Sequence, residues 1–357
     1  MKKLLVSLAV LFSMIAGIST AAYAQEANTI EILPTMNTES SAQNRIWVGT
    51  FQLVWNEVVD NIVGKPIKFV DYNSIVAKNL NKKSFKKSNI SDDSYYTKYG
   101  EISPDLKAEI EKGIKEKFDE TSDIIDMYDW SRKPGMLFVY AMLKKDFKFL
   151  NAFDKLTPTN FGQNYTSVEY FGINEDSDKK LYKNVDVLFY NSKDDFAVKL
   201  YTKGNDVVML YRTNDDKAFD KYFADANKKA KKYKGSKKFE KFDDLRVPDI
   251  KLYQEASFKD IENHAIKGSN FVIDETIETV DFRMDNEGVK LKSEAALIMK
   301  MSMPIQRGRD FLFTDKFVLF LIEKGQKTPY YAMRVSDVEA LNLSLIHISE
   351  PTRLRRI

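Results

Sequence analysis

The chain has no cysteine and only two histidines in 357 residues. Without thiols it can form no disulfide, no thiolate metal site, no cysteine nucleophile and no lipid-anchored cysteine. Two histidines leave little room for imidazole metal centres or acid–base catalysis. There is no glycine-rich phosphate loop, no zinc-ligand spacing and no nucleophile elbow. Charge of one sign is also scarce: 55 Lys+Arg against 52 Asp+Glu gives a net +3, too little for a generic nucleic-acid binder. What is present is a hydrophobic share of 43% beside 30% charged residues, the balance of a packed globular protein.

The two ends read as separate from the working protein. Lys2 and Lys3 precede an apolar run from Leu4 to Ile18, and Ala22-Tyr23-Ala24 is a small-x-small cleavage motif before Gln25. The run is short for a membrane span, so residues 1–24 are expected to be a removed secretory signal rather than an anchor. The protein is then expected outside the cytoplasm, secreted, extracellular or periplasmic. At the other end, Leu343-Ser344-Leu345-Ile346-His347-Ile348-Ser349-Glu350-Pro351-Thr352-Arg353 resembles the translation of a transposase sequencing adapter. Residues 343–357 are therefore expected to be read-through. The 318 residues between carry 50 basic and 51 acidic groups, a net of −1, and His264 as their sole histidine. One histidine builds neither a triad nor a metal site.

Residues 25–43 are polar and read as a mobile leader. From Asn44, Trp47, Phe51, Trp55, Val58, Val59 and Ile62 recur at helical steps, predicting one helix that Gly64 and Pro66 end. Ser103 and Pro104 start a second helix, with Leu106, Ile110, Ile114 and Phe118 on its buried side. After Pro134 strands dominate. Met136–Leu143 reads as a buried central strand. Val185–Tyr190, Phe196–Tyr201, Val207–Tyr211, Leu245–Leu252, Thr276–Met284, Val289–Met303, Phe311–Ile322 and Tyr330–Val335 follow, and Lys217–Lys232 reads as an exposed helix. Helices first and strands later predict an α+β fold with large, mostly antiparallel sheets and one domain over residues 44–342.

Few residues suggest chemistry. Asp92-Asp93 and Asp194-Asp195 read as solvated turns rather than catalytic pairs. The run Lys228 to Lys238 suits a polyanion, but the near-neutral balance favours the wet end of a helix. The unusual stretch is Ser293 to Arg309. Its first half alternates with small residues and suits a sheet, while its second half, with Pro304, Gly308 and two arginines, suits an exposed loop. Alone it also reads as a hairpin strand with a polar connector.

The order of motifs resembles the serpin family across nearly the whole chain, as a divergent, secreted bacterial member. Asn44–Ile62 is similar to the family's first helix. Leu137–Lys144 resembles a central-sheet strand, and Val198–Leu210 resembles the "LPYKGNxxSML" strand pair. Val247-Pro248-Asp249-Ile250-Lys251 and Ser257–Ile261 resemble "LPKFK…YDLKD", and Val280–Gly288 resembles the strand ending in "NEEG". Asp315–Ile322 resembles "DRPFLFLI" and Tyr331–Val335 the closing "FMGRV" strand.

The resemblance implies three β-sheets, about nine helices and a C-terminal reactive loop. It implies a secreted inhibitor, not an enzyme, whose partner is a target protease of serine or cysteine type. The protease cuts the loop, and the freed strand inserts into the main sheet. No cofactor, metal, nucleic acid or membrane is implied, and the state is monomeric. Gly288 with Ser293-Glu294-Ala295-Ala296 takes the hinge position, and Gln306–Arg307 the reactive bond, with Arg309 beside an alternative cleavage position. On insertion Ser293, Ala295, Leu297 and Met299 would face inward. Departures from the pattern are the extra Val289-Lys290-Leu291-Lys292, the bulky Leu297 and Ile298, Tyr140 in place of Asn, and no counterpart to a buried histidine. These favour, as the alternative, a non-inhibitory binding protein of the same fold.

Overall fold

The computed structural model describes residues 30–288 and 308–343. In chain order the first elements are β1 (Ile30–Ile32), β2 (Asn44–Val48), α1 (Thr50–Glu57), α2 (Ile75–Leu80), β3 (Tyr95–Glu101), α3 (Pro104–Phe118) and α4 (Asp123–Asp126). The strands β4 (Leu137–Leu143), β5 (Asp154–Phe161), β6 (Asn164–Ile173), β7 (Val185–Ser192), β8 (Asp195–Tyr201) and β9 (Asp206–Arg212) follow. Next come α5 (Phe219–Lys232), β10 (Asp244–Pro248), β11 (Ile250–Ala256), β12 (His264–Ala265), β13 (Val272–Ile273) and β14 (Glu278–Met284). Beyond residue 308 lie β15 (Asp310–Leu312), β16 (Phe317–Glu323), β17 (Tyr331–Val335) and α6 (Val338–Leu343).

The largest sheet has the order β1-β2-β17-β16-β9-β8-β7, so the early strand β2 lies beside the late strand β17. Its middle strands β9, β16 and β17 are buried at every position. That explains their unbroken apolar runs: a strand covered on both faces has no reason to alternate. A second sheet runs β15-β10-β6-β5. The remaining longer strands form two separate antiparallel pairs, β3-β4 and β11-β14. The class is α+β. The described residues hold six α-helices, beside the nine or so implied by the resemblance.

Several local expectations hold. The Ser103 hydroxyl accepts from Leu106 N at 3.2 Å, and Pro104 opens α3. Leu106, Ile110 and Ile114 are its buried positions. Replacing Ser103 by Ala should cost about 1 kcal/mol, read as a lower urea midpoint at unchanged slope. In α5, Phe219 and Tyr222 are buried and Phe223 packs against the core.

Other expectations are corrected. Asn44–Val48 is a strand, not the start of a helix: its backbone is taken by β1 on one side and β17 on the other. Helical spacing of Trp47 was overridden by ladder pairing, and α1 begins only at Thr50. Helical winding then continues as a π-helical segment over Val58–Val63, until Gly64 at φ +72° ends it. Within the stretch read as a leader, Ile30–Ile32 pairs with β2 and Leu33 is buried. Leu245–Leu252 is two strands in different sheets, parted at Asp249 after Pro248, which removes a ladder donor. Met136–Leu143 is not a buried central strand. Among the described residues β4 pairs only with β3, and most of its positions are half-buried.

Candidate functional site

The two strand pairs define the site. β14 alternates, with Glu278, Val280, Phe282 and Met284 pointing inward. Phe282 stacks on Tyr331 of β17 at 4.9 Å, which presses β14 onto the large sheet. On the other side, β3-β4 and α3 close over a small core of their own, built from Leu106, Ile110, Ile114, Trp130 and Tyr140. Both pairs are linked to α1 beneath, β4 by packing and β14 through Glu278.

Between β4 and β14 there is no ladder among the described residues. There is instead a cavity of about 120 Å³, walled by Leu143, Lys145 and Phe147 on one side and by Thr279 to Phe282 on the other. Leu321, Tyr330 and Tyr331 reach it from the large sheet. Among the described residues β4 has its second edge unpaired, and β14 likewise. Unpaired edges are templates for another strand.

One end of this cleft is shut. Phe149 N donates to Glu287 O at 2.9 Å, Phe153 N to Asn286 O at 2.8 Å, and Lys148 bridges Gly288. Asp285 N donates to Gly288 O at 2.9 Å, and Glu287 N to the Asp285 carboxylate, which makes Asp285-Asn286-Glu287-Gly288 a turn. Gly288 has φ +152°, and a Cβ there would meet Phe147 O at 2.3 Å. Gly288→Ala should therefore cost about 1–3 kcal/mol, seen as a lower thermal midpoint, because backbone rather than a flexible side chain blocks the methyl.

Two buried titratable groups were missed by the sequence reading, one lining the cleft and one on β14 beside it. Lys145 pairs with Asp206 at 3.1 Å and with Glu323, and lies 5.1 Å from the Tyr330 ring centre. Tyr330 donates to Asp206 at 2.9 Å, and Ser91 donates to Glu323 through both N and Oγ. Burial pushes the Glu323 carboxyl up, but the bonds from Lys145 and Ser91 outweigh it and hold it below the usual range. The second group is Glu278. One oxygen accepts from Phe51 N at 3.1 Å, in the first turn of α1, where Gly49 supplies no side-chain cap. The other oxygen is buried without a partner. Burial pushes this carboxyl up to about 8, with the Phe51 bond pulling weakly the other way. A Glu on the apolar face of an alternating strand was the available signal.

The expected reactive loop falls largely outside the described residues, including Ser293, Glu294, Ala295, Ala296, Gln306 and Arg307. Its flanks are described. Gly288 closes the cleft, and Gly308 N donates to Phe242 O at 3.0 Å just before β15 joins the second sheet. Arg309 is committed: its guanidinium pairs with Asp243 at 2.6 Å and donates to Ser236 O and Lys238 O. It is therefore an anchor of the returning chain, at odds with a role in an exposed cleavage position.

No catalytic grouping forms at the other candidates. His264 stacks on Tyr72 at 4.5 Å and lies 5.2 Å from Phe69, while Ser74 and Tyr72 both donate to Asp260. Asp194 pairs with Arg212 at 3.2 Å and Asp195 with Lys229 at 2.8 Å, so each has its own cation rather than a shared proton. Among the described residues, no group of three or more His, Cys, Asp or Glu is placed to hold a metal, and no helix is long and apolar enough to cross a membrane.

No family model matches the chain, and no curated protein sequence matches it. Among solved structures it is similar to Serpin48 of the insect Tenebrio molitor, described as a highly specific serpin. That match has 12% identity and a TM-score of 0.43, covering 81% of this chain and 96% of that one. It is also similar to human thyroxine-binding globulin complexed with thyroxine, at 12% identity and a TM-score of 0.40, covering 70% of this chain and 77% of that one. Likenesses of this size do not decide the family.

Proposed function

We propose that this protein is a secreted, serpin-like inhibitor of serine or cysteine proteases, monomeric and without a cofactor. The observation that carries the reading is the cleft: β4 and β14 stand beside a shared cavity with unpaired edges, and β14 leads through Gly288 into the expected hinge. A protease cuts the loop at Gln306–Arg307, and the freed stretch from about Ser293 enters the cleft as a new strand. β14 is seven residues long, about 23 Å, so about seven residues of a new strand find partners along it. β3-β4 has a small core of its own on one face, with Ile110, Ile114 and Tyr140, and meets the main core through Ala141 on the other. The tying of Arg309 to Asp243 favours cleavage before it.

One observation favours the alternative, a non-inhibitory binding protein of the same fold. The backbone bonds of Phe149 and Lys148 to Glu287 and Gly288 already close one end of the cleft. The first step of insertion must break them. A panel of serine and cysteine proteases separates the two readings. A complex with one protease that survives SDS is the expected result. Cleavage of the loop by every active protease, with no such complex, would sink the inhibitor reading.

A further inference from the structure

β9 begins and β16 ends on two acids that face each other directly, since Asp206 and Glu323 are cross-strand partners. Like charges in that relation repel. They are held by Lys145, which follows β4 and pairs with both. All three side chains are almost dry: Lys145 is 12% exposed, Asp206 9% and Glu323 3%. Two other lysines reach a buried carboxylate, Lys87 at Glu57 and Lys259 at Glu262. They are themselves 47% and 75% exposed, so they keep their hydration.

The surroundings suit each group to a different part. Lys145 Nζ lies 3.1 Å from Asp206 Oδ1, so the carboxyl carbon is one bond beyond that contact. Tyr330, itself buried, donates to the same oxygen at 2.9 Å. Glu323 accepts from Lys145, and Ser91 fixes it by donating from N at 2.9 Å and from Oγ at 2.7 Å. Burial pushes the Glu323 carboxyl up, but these bonds outweigh it, so at rest Glu323 is a proton acceptor. Two charges taken out of water regain little by pairing, and a neutral product removes that cost.

We propose that Lys145 and Asp206 condense into an intramolecular isopeptide bond, with Glu323 relaying the protons. Nζ passes one proton to Glu323, which hands it to an Asp206 oxygen. The neutral amine then adds to Cγ while Tyr330 steadies the charge that gathers on Oδ1. A second proton leaves Nζ through Glu323 for the departing oxygen. The Nζ–Cγ bond forms, the Cγ–O bond breaks, and water leaves with both protons. Net charge is unchanged, and neither oxidant nor reductant is consumed.

Free in water, the same groups stay apart as hydrated ions. Held in contact, they act at an effective concentration of about 10⁵–10⁸ M. Lys145 also lines the cavity of about 120 Å³, which has room for the released water. The bond ties the end of β4 to the large sheet at β9, a covalent staple in a chain that has no cysteine. The inference does not rest on the inhibitor reading.

Mass spectrometry of the purified, denatured full chain tests it. The wild type should weigh about 18 Da less than its residues sum to, the mass of one water. Trypsin should release a branched peptide joining Lys145 to Asp206, because an acylated lysine is not cut. Glu323→Gln keeps the shape but cannot relay protons, and should slow bond formation about a hundredfold or more. Lys145→Met should stay at full mass. Circular dichroism checks that both variants fold, and the wild-type mass decides the matter even where one does not. A wild type still at full mass after prolonged incubation at neutral pH overturns the inference. So does a loss of water that maps to one linear peptide. Equal rates in the wild type and Glu323→Gln would overturn the part given to Glu323.

Discussion

Protein cut between Gln306 and Arg307 is expected to unfold about 5–9 °C above the uncut chain. The reason lies in the two strand edges beside the cavity. A stretch of seven residues between them gains partners for up to about 14 backbone groups, each net worth about 0.5–1.5 kcal/mol. Ordering those residues costs about 1–2 kcal/mol each, so bonds and entropy nearly cancel. The balance falls to burial of the inward side chains. Leu297 and Met299 contribute about 1.5–3 kcal/mol apiece if the cleft widens to admit them. A net gain of about 3–6 kcal/mol is the result, and about 1.5 °C per kcal/mol for a chain of roughly 300 residues gives the stated shift. Melting curves of cut and uncut protein, followed by circular dichroism, measure it. An unchanged midpoint would mean that the loop does not insert, and the binding-protein reading would take over.

The second large effect belongs to Glu278 and is independent of the loop. Its carboxyl is raised to about 8 in the folded protein, chiefly by burial, from 4.5 in an unfolded chain. The folded state therefore holds a proton that the unfolded state releases between these values. Stability is fully present below pH 4.5 and declines as pH rises toward 8, by about 1.4 kcal/mol per unit. Between pH 5 and 8 this residue alone removes about 4 kcal/mol. Asp249, raised to about 6 chiefly by burial, adds a smaller decline over the acidic end of the range. Glu278→Gln keeps an oxygen for Phe51 N and cannot ionise. The variant should match the wild type at pH 5 and exceed it by several kcal/mol at pH 8. Urea titrations at pH 5, 6.5 and 8 provide the check, and parallel slopes for both proteins would show that Glu278 is not the source.

Where sequence reading succeeded, the information was local. The Ser103–Pro104 start of α3 and its buried Leu106, Ile110 and Ile114 depend on a few neighbouring residues. Where it failed, a distant partner decided. Asn44–Val48 has helical spacing, yet it lies between β1 and β17 because the C-terminal strand offers it a ladder. Leu245–Leu252 reads as one strand, yet its halves pair with β6 and β14. Arg309 resembles a protease target in sequence and is an anchor in space, because Asp243 lies 66 residues away along the chain.

The sequence by itself determined what chemistry this protein lacks. No cysteine excludes thiol mechanisms, because those need atoms the chain does not have, and two histidines leave little room for imidazole metal centres. It also determined the strand-rich α+β class through runs of apolar residues. Only the tertiary structure decided that, among the described residues, β4 and β14 stand apart over a cavity and one buried Glu278 oxygen has no partner. Each of these is a relation between segments far apart in the chain, so no local pattern encodes it.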